Sequence, residues 1–172
     1  MNGDFETAPG GNRAWGEGQN VESLVGWKID GTVEYVGEGQ RQGNMLLVIP
    51  HGTHALRLGN DAQISQEITV EKSATYSLTL SAARTCAQLE SLNVSVPTSS
   101  ANIDLQTLYN IRGWDAYAWA FHAPSDQDHV ELVFRNQGME EDPTCGPVLD
   151  DIAIKQISTP EKTKSKFTSL VF

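Results

Sequence analysis

The chain has 172 residues, the usual size of one domain, and its 39% hydrophobic and 20% charged residues exclude disordered and fibrous classes. Its 22 acidic and 12 basic residues give a net charge of −10, which excludes the basic patch that nucleic-acid binding needs but suits cations or basic partners. No apolar run is long enough to span a membrane, and the first residues lack the basic and apolar regions of a signal peptide.

The chain is predicted to be a series of short strands separated by turns. In chain order, strand signals lie at residues 26–29, 33–36, 55–58, 64–70, 75–82, 92–96, 105–109, 116–121, 130–134 and 148–155. The alternation of apolar and polar side chains that is typical of half-buried strands is clearest at 75–82, 92–96 and 130–134. Glycine and proline clusters fill the intervals, and no window carries a helical apolar stripe. We therefore predict an all-β fold, an antiparallel sandwich or barrel.

One domain is predicted, over residues 1–157. Beyond residue 157 the alternation stops, and no internal repeat divides the residues before it. Residues 158–172 are interpreted as a linker or disordered tail. Its lysines, Lys162, Lys164 and Lys166, make a solubilising end rather than a nucleic-acid site.

The two cysteines, Cys86 and Cys145, match no metal-ligand or redox spacing. On the sequence pattern they are either two buried thiols or one disulfide. A disulfide closing a loop of about 60 residues would stabilise the fold by roughly 4 kcal/mol in the chain-entropy model.

Motifs of catalysis are missing from the sequence. There is no His-Glu-x-x-His, Gly-x-Ser-x-Gly or phosphate-loop pattern, and no pair of carboxylates stands out as a glycosidase pair. His51 and His54 flank a glycine turn, a weak metal signal that we interpret as two loop histidines. We therefore predict that the chain is not an enzyme.

Six segments carry a family resemblance. They are Asn-Gly-Asp-Phe-Glu at 2–6 with Gly-Trp at 26–27, Ser-Ala-Ala-Arg-Thr-Cys-Ala-Gln at 81–88, Gly-Trp-Asp-Ala-Tyr-Ala-Trp-Ala-Phe at 113–121, Glu-Glu-Asp-Pro-Thr-Cys-Gly-Pro at 140–147 and Asp-Asp-Ile-Ala-Ile-Lys at 150–155. With these segments the chain resembles the plant cell-wall proteins of domain-of-unknown-function family 642, over residues 2 to about 157.

The resemblance implies a galactose-binding-like jelly roll in a secreted, apoplastic plant protein. It implies a non-catalytic module that binds cell-wall polysaccharide, pectin or cellulose. The alternative is a protein-interaction module that docks on wall enzymes such as pectin methylesterase. It also favours the disulfide between Cys86 and Cys145, since secreted proteins retain such bonds. Family members usually carry two such domains in tandem, and this sequence holds one.

Four residues are candidates for polysaccharide binding under this resemblance. Arg84 offers a planar fork suited to a uronate carboxylate. Alternation along the strand at 116–121 turns Trp119 and Phe121 toward the core, with the Tyr117 hydroxyl at the core edge. Trp114, at the strand entrance, is then the candidate exposed ring. Asn136, after the strand at 130–134, is the fourth. The alternative for Arg84 is a structural ion pair.

A structural calcium is the expected cofactor. Glu6 and Asp151 are its candidate ligands, because the two ends of a jelly roll commonly lie side by side and calcium prefers oxygen ligands. The alternative is that Asp150 and Asp151 charge an edge strand against aggregation. The sequon at Asn93 (Asn-Val-Ser) is a candidate glycosylation site.

Overall fold

The described part of the chain consists of β-strands and turns in this computed structural model. The described residues are 1–9, 19–42, 45–86, 90–106, 113–138, 141–142 and 144–157. The strands are β1 (Gln19–Asn20), β2 (Lys28–Asp30), β3 (Val33–Gly37), β4 (Arg41–Gln42), β5 (Met45–Leu46), β6 (His54–Leu58), β7 (Gln63–Thr69), β8 (Thr75–Ala83), β9 (Glu90–Val96), β10 (Ser99–Leu105), β11 (Asp115–His122), β12 (His129–Asn136) and β13 (Val148–Ile157). Within these residues the structure has no helix that could cross a membrane.

Two antiparallel sheets form a jelly-roll sandwich, which confirms the predicted fold class. The six-stranded sheet has the order β1-β3-β6-β13-β8-β11, and the five-stranded sheet has the order β10-β9-β12-β7-β2. A small hairpin of β4 and β5 stands apart from both. The sandwich extends to residue 157, and the predicted tail at 158–172 lies outside the described residues.

The core lies between the sheets because alternate side chains of each strand face inward. In β8, Leu78 and Leu80 are buried while Thr79 between them is exposed. In β9, Leu92 and Val94 are buried from the opposite sheet. This alternation is the one that the sequence showed at 75–82 and 92–96.

Four strands were not predicted. Three of them, β1, β4 and β5, have two residues each and no sequence signal. The fourth is β10. The sequence signal was placed at 105–109, whereas β10 covers Ser99–Leu105 and residues 107–109 lie outside the described ones. The start of β10 carries serines after Pro97, and small polar residues beside a proline are typical of a turn. Pairing along the whole of β9 gives this polar segment its extended conformation.

The N-terminal segment lies beside β13. The Gly3 carbonyl accepts a hydrogen bond from the Ile152 amide at 2.9 Å, and the Trp27 indole donates to the Asn2 carbonyl at 2.8 Å. A Cβ at residue 3 would lie 1.9 Å from the Ile152 carbonyl oxygen, so only glycine permits this approach. The two ends of the sandwich therefore meet, as the sequence analysis expected.

A second apolar cluster covers part of the outer surface of the six-stranded sheet. This outer cluster consists of Val36, Leu47, Ile49, Ala55, Ala83 and Val148, with Trp114 packed against it. Beside it, Glu34 of β3 and Arg57 of β6 pair across the strands and are both buried. This end of the sheet is therefore an interior, not a free surface.

The predicted disulfide is present. Cys86 and Cys145 are bonded, with their Cα atoms 5.6 Å apart and 59 positions apart in the chain. The buried Glu90 carboxylate accepts hydrogen bonds from the amides of Thr85 and Cys86, each at 3.1 Å. The bond joins the segment after β8 to the segment before β13, and the Glu90 carboxylate ties the segment after β8 to the start of β9.

Candidate functional site

The outer face of the five-stranded sheet carries two polar rows that cross all five strands. The strand register aligns the first row as Asp30, Gln63, Arg135, Asn93 and Asn102. It aligns the second row as Lys28, Ser65, Val133, Ser95 and Ser100. The two rows run side by side, because their members are two residues apart on each strand.

The second row is the lower of the two, since four of its side chains are short (Ser65, Val133, Ser95 and Ser100) and only Lys28, at the β2 end, is long. The longer side chains of the first row stand on one side of it, and Glu67 and Glu131, paired across β7 and β12, stand on the other side at those two strands. Neighbouring strands lie about 4.8 Å apart, so the rows are roughly 19 Å long. We name this feature, formed by both rows with Glu67 and Glu131, the polar trough.

The side chains of the polar trough are held by contacts between strands. The Asn93 amide donates to the Asn102 amide oxygen at 2.7 Å. The Ser65 hydroxyl donates to Glu131 at 2.9 Å, and the Lys28 ammonium lies 3.6 Å from the same carboxylate. These contacts order the side chains before any ligand arrives, which lowers the entropy cost of binding.

The face of the polar trough has a negative balance. Its two cations already lie against carboxylates, since Lys28 pairs with Glu131 and the Arg135 Nε donates to Asp61 at 3.1 Å. Asp30, Glu67 and Asp104 add further negative charge. The outward positions of β2, β7, β9, β10 and β12 include no tryptophan, tyrosine or phenylalanine. As far as the described residues show, the face therefore offers hydrogen bonds without aromatic rings or a cationic patch.

Trp114 and Arg84 lie at one end of the six-stranded sheet, because Asp115 pairs with Ala82. Both are half-buried. The Trp114 indole donates to the Val48 carbonyl at 2.7 Å, and its ring packs on the outer cluster. Residues 47–49 thus cover much of the ring that the sequence analysis expected to be exposed, while Arg84 remains a candidate.

Tyr117 faces the opposite side, toward the core. Its hydroxyl donates to the Asp115 carboxylate at 3.3 Å, and burial followed by the charge of Asp115 raises its pKa above the usual value. Trp119 is half-buried against the core and Phe121 is buried, as the alternation predicted. Tyr117 and Trp114 therefore lie on opposite faces of the sheet.

Asn136 is fully buried at the end of β12. Its amide nitrogen donates to the carbonyls of Leu58 at 3.3 Å and Gly59 at 3.0 Å. Its amide oxygen accepts from the Gly138 amide at 2.8 Å. These bonds hold two loops together, so we leave Asn136 out of the site proposed below.

An acidic cluster forms where the first segment meets β13. The Asp150 carboxylate is fully buried and accepts hydrogen bonds from the amides of Asp151 at 2.7 Å and His51 at 3.3 Å. Burial raises its pKa to about 7, and the neighbouring charges of Asp151 and Glu6 act in the same direction. The alternative expectation, that Asp150 and Asp151 charge an edge strand, is wrong, because β13 lies between β6 and β8. A bulge follows Asp150, and Asp151 there has a φ of 52°.

The two predicted calcium ligands border this cluster and have their own partners. Glu6 accepts hydrogen bonds from the amides of Thr53 at 2.7 Å and His54 at 2.8 Å. Desolvation raises the pKa of Glu6, but these hydrogen bonds outweigh it and hold that pKa below the ordinary value. Asp151 lies 3.3 Å from the His51 ring. Carboxylate oxygens are the ligands that calcium prefers, but among the described residues Glu6, Asp150 and Asp151 do not form a set whose ligand atoms all lie within 4.8 Å of one another.

A second set of ligand atoms does not suit a metal. The sulfurs of Cys86 and Cys145 and a Glu90 oxygen lie within 4.8 Å of one another. Both sulfurs are in the disulfide, and only a thiolate is a strong metal ligand.

Comparison with known proteins finds a matching family model and relatives in a plant. A family model described as "Protein of unknown function (DUF642)" matches residues 1–155. In Arabidopsis thaliana, Protein DUF642 L-galactono-1,4-lactone-responsive gene 2 is 50% identical over 163 residues, and Protein TEEBE is 46% identical over 157 residues. The matches cover 94% and 91% of this chain but 44% and 42% of these relatives, so the chain spans less than half their length.

Solved structures share the fold at low sequence identity. A family 4 carbohydrate-binding module matches 91% of this chain and 99% of its own, with a TM-score of 0.55 and 14% identity. A family 61 module in complex with β-1,4-galactotriose matches 91% and 96%, with a TM-score of 0.56 and 15% identity. The family 22 xylan-binding domain from Paenibacillus barcinonensis matches 86% and 100%, with a TM-score of 0.51 and 13% identity.

Proposed function

The chain belongs to the DUF642 family, and on that premise we propose that it is a non-catalytic module that binds cell-wall polysaccharide, pectin or cellulose, in a secreted plant protein. The observation that carries the proposal is the polar trough, which crosses all five strands of one sheet. A linear ligand can lie along these rows, over the short side chains of the second row. The fold likeness to carbohydrate-binding modules and the disulfide, typical of extracellular proteins, support the proposal.

Titration calorimetry tests the function directly. The folded protein is titrated with de-esterified pectin fragments, cello-oligosaccharides and xylan fragments in calcium-containing buffer. We expect saturable heat with at least one glycan, with a Kd between about 1 μM and 1 mM, as for a ligand held by several hydrogen bonds. Silence across the panel would contradict the proposal and favour docking on a wall enzyme such as pectin methylesterase.

We also propose a structural calcium at the acidic cluster, with Asp151 and Glu6 as ligands together with Asp150. A bound cation would neutralise carboxylates that otherwise repel one another, and would tie the first segment to β13. It would supply no catalysis, only stability.

Removing calcium is expected to lower the melting temperature. At a concentration 100 times its Kd, a ligand stabilises the fold by about 2.7 kcal/mol. For a chain of this size that corresponds to roughly 5–10 °C. Calorimetric melting with calcium and with chelator measures the change.

Two aspartates that each contact a histidine provide the control for this experiment. Asp151→Asn should remove the response to chelator, whereas Asp128→Asn, which alters the exposed contact with His129, should retain it. An identical melting temperature with and without chelator in the unmodified protein would rule the calcium out.

A further inference from the structure

We infer that the polar trough takes a single uncharged polysaccharide chain laid across the strands, and that it rejects polyuronate. This inference rests on the proposed function and names both the site and the ligand class. It depends on three features of the outer face: the type of hydrogen-bonding groups, the balance of charge and the lack of aromatic rings.

The hydrogen-bonding groups suit hydroxyls. Gln63, Asn93 and Asn102 line one side of the trough, and each amide both donates and accepts. Sugar hydroxyls also donate and accept, so neighbouring hydroxyls can pair with one amide. The serines of the floor, Ser65 and Ser95, add groups of the same double character. Ligand recognition along this face therefore requires no ionic group on the ligand.

The charge balance opposes an anionic chain. Both cations of the trough lie against carboxylates, and the pairs Lys28 with Glu131 and Arg135 with Asp61 leave no excess positive charge. A polygalacturonate chain would bring one carboxylate per sugar toward Glu67 and Asp30. Like charges at such distances repel, and the net charge of −10 adds to the effect. The uncharged polysaccharides of the cell wall therefore remain as the expected ligands.

The lack of outward aromatic rings on the five described strands bears on the physical state of the ligand. Flat crystalline surfaces are bound through exposed rings that stack on sugar faces. The short serine and valine side chains run beside the longer first row, with Glu67 and Glu131 on their other side at β7 and β12, so the trough suits one separated chain instead. Its length of roughly 19 Å exceeds a single sugar, so affinity should rise with the length of the oligosaccharide.

Substitutions in the trough test the inference, in protein made in a host that adds no N-glycans. Ser95→Trp would fill the floor, and Asn102→Ala would remove an exposed amide from the wall. The matched control is Thr79→Trp, an outward position in the middle of the other sheet. The ligands are galacto-, arabino-, xylo- and cello-oligosaccharides and an oligogalacturonide, and thermal melting confirms that each variant is folded.

We expect Ser95→Trp to weaken binding of the neutral oligosaccharide by more than tenfold. Asn102→Ala should weaken it by about three- to tenfold, the loss of one net hydrogen bond, and Thr79→Trp should leave it unchanged. The oligogalacturonide should give no saturable binding.

Three outcomes contradict the inference in different ways. If the unmodified protein binds a neutral glycan and folded Ser95→Trp and Asn102→Ala bind it equally well, the site is elsewhere and only the function stands. If it binds the oligogalacturonide alone, the ligand class is wrong. If it binds no glycan at all, the proposed function fails, and the inference fails with it.

Discussion

Replacing both Cys86 and Cys145 by alanine is expected to lower the free energy of unfolding by about 4 kcal/mol. The bond joins residues 59 positions apart, so it restricts a large part of the unfolded chain. In the folded state it also ties the start of β13, at the centre of the six-stranded sheet, to the end of β8. Urea unfolding followed by tryptophan fluorescence measures the change.

The reduced protein is the control for this prediction. Unmodified protein in excess reductant should unfold at nearly the same urea concentration as the double variant. Removing Cys86 alone should cost about as much as removing both cysteines, because either change breaks the same bond. A loss below about 1 kcal/mol would mean that the bond constrains the unfolded chain far less than its loop length implies.

Arg57→Met is expected to lower the free energy of unfolding by about 3–5 kcal/mol. The Arg57 Nε donates to the Glu34 carboxylate at 2.6 Å, and Gln40 lies 3.5 Å from the other oxygen of that carboxylate. Both charged side chains point away from the space between the sheets, and both are nevertheless buried. Methionine fills much of the volume but leaves the Glu34 charge buried without its cation. Urea unfolding of the variant gives the cost.

Two further variants show whether the cost comes from the buried charge. The double variant Glu34→Gln with Arg57→Met should recover much of the loss, because no buried charge remains. Arg135→Met removes an arginine that pairs with Asp61 on an exposed surface, and should cost less than about 1 kcal/mol. Equal costs for Arg57→Met and Arg135→Met would contradict the explanation.

The strands of the core could be predicted because their alternation is local. At 75–82 and 130–134, apolar and polar residues alternate with a period of two. The strands β8 and β12 lie at these positions, with the same alternation in burial. The same alternation correctly predicted that Phe121 faces the core. β10 could not be predicted, since its extended conformation depends on pairing with β9 and its residues alone favour a turn.

The candidate site was less predictable, because it depends on contacts between distant parts of the chain. Alternation placed Trp114 on the outward side, but no local signal shows that residues 47–49 cover that side. The burial of Asp150 depends on distant residues such as His51, whose amide donates to its carboxylate, and no local signal shows that contact. The polar trough consists of residues from five strands. Gln63 is aligned with Arg135, and Arg135 with Asn93, by a strand register that the local pattern of the sequence does not reveal.

The position of Asn93 in the polar trough has a consequence for glycosylation at its sequon. An N-glycan attached there would be joined to a residue of the polar trough, the feature that is proposed to bind sugars. Tethered groups act on a nearby site at an effective concentration in the millimolar range. A ligand of similar affinity in solution would then compete with a permanently linked sugar chain, and the glycosylated protein would be its own inhibitor.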